Sequence, residues 1–204
     1  KTARFANVAF SNGSLPAGFL ERISKLQPIS APSDVKRYFV SPEESGQICM
    51  LACMLGENRS IFFPKLEEEQ MMTFDAIATN LLHEYGYQVL QCKSDQEAIE
   101  KSEDLKAGST MYPVHYELSN TSGEKQFEEF FTEDESVDME RFKSLGVITD
   151  KQICDRDKLA TLFAELKNIF RRDDIKKEDI VRIIEDYLPN FSHIETGKSL
   201  DGKM

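Results

Sequence analysis

Two short segments gather the residue types that hold an anion. In SNTSGEKQFEEFF, Gly123 lets the backbone come close to a ligand and Lys125 sets a point charge in what would be a first helical turn. Thr121 and Glu124 have the spacing of a capping box. The same residues suit a capped surface helix with an ordinary exposed lysine, so two readings stand. In SDVKRYFVSPEES, Lys36 and Arg37 adjoin a short apolar strand that runs straight into a helix N-terminus. A guanidinium there can clamp a phosphate through paired hydrogen bonds; an ion pair with Asp34 or Glu43 explains it equally well.

Self-contained catalytic sets are missing. His83, His115 and His193 lie far apart, none in zinc spacing or beside a Gly-x-Ser-x-Gly elbow, and they read as surface or interface histidines. Gly197-Lys198-Ser199 resembles the end of a P-loop, but the motif's first glycine would fall on Ser192 and no apolar strand precedes it. No Gly-x-x-Gly-x-x-Gly dinucleotide turn occurs. The acidic stretch EEFFTEDESVDME, 128–140, lacks the regular oxygen ligands and central glycine of a calcium loop, so it reads as a solvated segment and no metal is expected.

The elements that must position these residues announce themselves by caps and periodicity. Ser41-Pro42-Glu43-Glu44 joins an N-cap serine, a proline at the first helical position and a capping-box glutamate; Ile48, Leu51, Ala52 and Leu55 follow before Gly56. From Thr73, the residues Phe74, Ile77, Ala78, Leu81, Leu82 and Tyr85 repeat at helical spacing until Gly86. Ser94 with Glu97 opens a more polar helix that ends by Gly108. Leu159 to Phe170 and Ile180 to Leu188 mark two more, the last closed by Pro189. Between them Ile61 to Phe63, Gln88 to Gln91 and Tyr112 to Leu118 read as strands. The predicted class is α/β, a mixed small sheet with several helices and a helical C-terminus.

Within the opening KTARFANVAF, the residues from Ala3 to Phe10 read as a strand covered on both faces in a parallel sheet, which needs neighbours on its edges. With no methionine ahead of Lys1, the chain reads as the back part of a longer protein. At 204 residues, 40% apolar and 30% charged, it suits a soluble protein of one domain with a sizeable core, or one and a fraction. A formal charge of −11 argues against nucleic acid, whose phosphates reward a concentrated basic surface. No apolar run approaches the roughly 20 residues of a membrane span. Cys49, Cys53, Cys92 and Cys154 form no zinc pattern; Cys49 and Cys53, inside QICMLACML, read as reduced core cysteines of a cytoplasmic protein.

RFANVAFSNGSLPAGFLER, APSDVKRYFVSPEESGQICMLA and SGEKQFEEF, in this order, resemble the C-terminal part of extended short-chain dehydrogenase/reductases of the polysaccharide-biosynthesis type. Among these the chain is most similar to UDP-N-acetylglucosamine 4,6-dehydratase-like enzymes, and LPNFSHIETGKSLDGKM extends the resemblance to the last residue. It implies a substrate-binding region over 1–204: the last strands of a Rossmann-like core and a substrate helix in 1–40, mixed α/β structure in 41–150, and a helical tail in 151–204.

The resemblance also implies roles. Asn7 would reach the sugar or pyrophosphate, Phe5 and Val8 would lie beside a nicotinamide, and Gly13 and Ser14 would begin the helix that faces the nucleotide. Arg37 would contact the pyrophosphate, and Gly123, Glu124 and Lys125 would lie near the substrate. The relatives usually carry Arg-Pro ahead of Gly-Glu-Lys; here Thr121-Ser122 stands there. The Tyr-x-x-x-Lys pair of the family has no counterpart, since no tyrosine is followed four residues on by lysine. No catalytic residue is therefore expected here, and NAD(P) belongs to the intact enzyme, held by a missing N-terminal half. A UDP-sugar is the implied ligand, and a homo-oligomer is compatible with the resemblance. The competing expectation is a binding or oligomerisation module that kept the fold and lost the chemistry.

Overall fold

The N-terminal apolar run serves two sheets in succession. In the computed structural model, which describes residues 1–123, 128–150, 154–188 and 190–197, strand β1 (Thr2–Ala3) pairs in parallel with the segment Ile61–Pro64. Strand β2 (Asn7–Val8) pairs in parallel with Phe39–Val40. The single strand expected over these residues is thus two, because Arg4 turns its guanidinium aside to Glu135 and the Phe130 carbonyl, and the chain changes partners there. Nor is the run covered on both faces: Ala6 is buried, but Phe5 and Phe10 are exposed.

Helix α1 (Leu15–Ser24) follows, then β3 (Ile29–Pro32), β4 (Lys36–Arg37), β5 (Phe39–Val40) and α2 (Pro42–Leu55). The α2 capping box forms as its sequence requires: Glu44 N–H donates to Ser41 Oγ at 3.1 Å, and Ser41 N–H to Glu44 Oε2 at 2.7 Å. Strands β6 (Ile61–Pro64) and β7 (Met72–Thr73) lead to α3 (Phe74–Glu84), β8 (Gln88–Gln91) and α4 (Asp95–Ser102). After β9 (Met111–Glu117) come β10 (Val137–Asp138), β11 (Leu145–Ile148), α5 (Arg156–Ile169) and α6 (Lys177–Tyr187).

The strands form a four-stranded sheet in the order β1-β6-β11-β10, a parallel sheet β3-β9-β8, and the pairs β2-β5 and β4-β7. Strand β1 stands at the margin of the first sheet, and among the described residues no strand pairs with its outer side. Two larger cores hold the layers, beside a small third cluster. One joins Phe19 and Ile23 of α1 to Ile29, Ala31, Tyr112 and Val114 of the parallel sheet and to Ala78 and Leu82 of α3. The other seats Ile48 and Ala52 of α2 on Phe62, Leu145 and Val147. Each fully buried large side chain contributes about 2 kcal/mol.

Helix α2 buries one narrow face only. Met50, Leu51, Met54 and Leu55 lie on the surface, Met54 75% exposed, although the second half of the helix is apolar on every side. Cys49 and Cys53 are exposed as well, which corrects the expectation of core cysteines: spacing put them on α2, but away from its buried residues Ile48 and Ala52. Cys92 is buried, and all four thiols are free. Helices α5 and α6 pack on each other, with Ile169 the buried residue of α5. The acidic stretch is not simply solvated: Glu135 is turned inward onto Arg4, and Val137–Asp138 adds a strand to the sheet. Among the described residues no helix is long and apolar enough to cross a membrane.

Candidate functional site

Arg37 is placed by two strands. It sits in β4, held antiparallel to β7 with Met72 opposite, and the chain passes at once into β5, which lies beside β2. The guanidinium is buried; its Nη1 donates to the Lys36 carbonyl at 2.8 Å and its Nε lies 3.1 Å from Glu128 Oε1. Asn7, reached through β2, points its amide nitrogen at the same oxygen from 3.5 Å and at the Tyr38 carbonyl from 3.4 Å. Two residues distant in sequence therefore converge on one carboxylate oxygen. Val8 packs against the small cluster of Ala6, Tyr38 and Val40, while Phe5 presents its ring at the surface.

Gly13 and Ser14 lie elsewhere, in a groove of about 510 Å³ lined also by Asn12, Arg22, Phe74 and Thr121. Ser14 is the N-cap of α1 and accepts from Ala17 N–H at 3.4 Å. Gly13, at φ +79°, has open space where a side chain would stand, so the backbone is accessible there. Asn120 Oδ1 and the groove-lining Thr121 Oγ1 are buried with no hydrogen-bond partner among the described residues. Buried polar atoms normally find partners, so a water or a ligand is the expected complement.

The loop after β9 links the two places: Ser119 and Thr121 wall the groove, and Glu128 meets Arg37. Gly123 faces neither. Its N–H donates to the Ile194 carbonyl at 2.8 Å, and a side chain there would touch the His193 ring. Its φ of +73° also corrects the expected helix capped by Thr121, because the second residue of such a helix needs a negative φ. Glu124 and Lys125 lie outside the described residues. The tail is bound through Glu195, which receives Ser122 Oγ at 2.7 Å, Lys177 Nζ at 2.5 Å and the Gly197 N–H at 2.7 Å, with His193 Nε2 at 3.1 Å. Lys177 first, then Ser122 and His193, hold this carboxyl far below the usual carboxylate range.

Glu128 and the Glu195 cluster escaped the reading of the sequence. Glu128 is one of several carboxylates in an acidic run and Glu195 a lone one in a polar tail, and nothing in their neighbours' spacing separates a partner from a solvated charge.

A family model described as polysaccharide biosynthesis protein matches residues 1–150. The chain belongs to this family of polysaccharide biosynthesis proteins. The match takes in Asn7, Arg37, the α1 groove and the loop to Glu128; the terminal helices α5 and α6 lie beyond it. Among solved structures, Pen from Bacillus thuringiensis superposes with a TM-score of 0.52 at 16% identity, over 81% of this chain and 50% of that one. This chain therefore spans about half of Pen's length, and the likeness is one of fold. No curated protein matches. The mixed α/β architecture with small sheets and a helical end is the fold class expected from the sequence.

Proposed function

We propose that these residues form the substrate-binding part of an NAD(P)-dependent nucleotide-sugar enzyme, of the UDP-N-acetylglucosamine 4,6-dehydratase type, acting in polysaccharide biosynthesis in the cytoplasm. The observation that carries the reading is the convergence of Asn7 and buried Arg37 on a single anionic oxygen. A diphosphate oxygen there would find one charged and one neutral donor already aimed. The groove at the first turn of α1, with the unpartnered Thr121 oxygen among its lining residues, offers the adjoining space for nucleoside or sugar.

NAD(P), when bound, supplies oxidation at the sugar's C4. This chain fits only the flank of such a cofactor: Phe5 offers an exposed ring and Val8 a partly buried side chain, while the dinucleotide glycines and the Tyr-x-x-x-Lys pair are not among its residues. Its own work is to bind and orient the sugar nucleotide, Arg37 fixing the diphosphate and Asn7 its register. The outer side of β1, which no strand pairs among the described residues, and the apolar outward face of α2 support a second α/β layer, carrying the cofactor, seated against both.

Calorimetry with UDP-N-acetylglucosamine on the full-length gene product tests this. Arg37→Ala weakens binding by roughly 1–3 kcal/mol, and the 204-residue chain alone does not turn the sugar nucleotide over. Unchanged affinity removes Arg37 from the site, and turnover by the chain alone removes the need for a second half.

A further inference from the structure

The ion pair at the centre of the site is unequal. Arg37's side chain is 10% exposed, and its Nη1 is fixed on the Lys36 carbonyl at 2.8 Å. Glu128's side chain is 38% exposed, and its Oε1 faces both Arg37 Nε, at 3.1 Å, and Asn7 Nδ2, at 3.5 Å. The guanidinium is committed to its place, because pulling it away would strand a buried charge or donor. The carboxylate is near water and leaves with little desolvation cost.

A carboxylate oxygen and a phosphate oxygen offer a guanidinium the same kind of acceptor. We infer that Glu128 is an internal competitor for the anion site: it holds Arg37 and Asn7 in their binding arrangement when no ligand is bound, and it gives way to a phosphate oxygen of the nucleotide. This rests on the reading of Arg37 as the diphosphate contact. Two consequences distinguish a competitor from a structural partner. Glu128 lowers affinity for every anionic ligand, since the ligand must displace it and then sit near its charge. It also raises selectivity, because a diphosphate outcompetes a carboxylate where a neutral or singly charged group does not.

The test is calorimetric titration of UDP-N-acetylglucosamine into the full-length gene product, as wild type, Glu128→Gln, Arg37→Ala and the double variant. Glutamine keeps the shape and an acceptor oxygen but not the charge. The expected result is about tenfold tighter binding by Glu128→Gln, with that gain absent once Arg37 is alanine. Weaker binding by Arg37→Ala together with unchanged or weaker binding by Glu128→Gln leaves the site assignment standing and overturns the role of Glu128. No effect of Arg37→Ala overturns the site assignment itself. A titration of the wild-type protein with inorganic pyrophosphate, followed by NMR at Arg37 Nε and the Glu128 carboxyl carbon, needs no variant. Both resonances move with one midpoint if Glu128 is displaced; movement of Arg37 alone overturns the proposal.

Discussion

Arg4 grips Glu135 with both terminal nitrogens, at 2.8 and 2.7 Å, and so ties the N-terminal strand to the acidic segment before β10. The contact holds the Glu135 carboxyl below its ordinary value, chiefly through the Arg4 hydrogen bond. A depressed carboxylate stabilises the fold fully above its unfolded pKa, about 4.3, and loses that contribution as pH falls through the folded value. Arg4 is itself partly solvated, which screens the pair. Arg4→Met therefore costs about 1 kcal/mol at neutral pH in urea unfolding, and the difference from wild type shrinks as the pH is lowered through the carboxylate range.

Gly146 is paired with Phe63 across β11 and β6, and a methyl group on it would run into the buried Phe63 ring. That ring is stacked on Phe130 and tilted against Phe131, so moving it disturbs both. Gly146→Ala is expected to destabilise by about 1–3 kcal/mol, visible as a lowered thermal midpoint, although alanine has the better strand and helix propensities. An unchanged midpoint would mean that the ring relaxes freely.

The tail is fastened by charge. Because Lys177, Ser122 and His193 lower the Glu195 pKa, the clasp on Ser122 and Gly123 is complete above the usual carboxylate range and opens only in strong acid. Hydrogen exchange at the Gly123 amide, which is bonded to the Ile194 carbonyl, reads this directly. Protection persists through mildly acidic pH and fades well below pH 4, whereas Lys177→Met or Glu195→Gln removes it at neutral pH.

Much of this fold is legible in the sequence, and the reason is locality. The Ser41–Glu44 box and the Ser94 cap, which receives Glu97 N–H at 3.1 Å, are made within one turn of chain, so residue types alone specify them. Helices α5 and α6 and strands β6, β8 and β9 carry their apolar patterns in order. What failed was set by distant partners. Ile29–Pro32 and Leu145–Ile148, no shorter than β6 and β8, are fixed by pairing with β9 and with β6 and β10. The N-terminal run looked continuous because its pattern says nothing of where Glu135 and Phe130 draw Arg4 aside. The Thr121 signature was defeated by one left-handed residue, Gly123.

The site divides the same way. Asn7 and Arg37, each in a quoted stretch of sequence, both reach Glu128, whereas Gly123 of the third stretch turns to the tail. Glu128 was invisible, being one carboxylate in an acidic run whose role depends only on which cation stands opposite.

The thiols on α2 supply a ready gauge of what covers that helix. Cys49 and Cys53 sit one turn apart among the outward methionines, whereas Cys92 is shut inside, its thiol pushed up by burial. Alkylation of the isolated chain should proceed rapidly at Cys49, Cys53 and Cys154; if a cofactor-bearing layer docks on α2, only Cys154 should still react at that pace, and a mass spectrum would count the change.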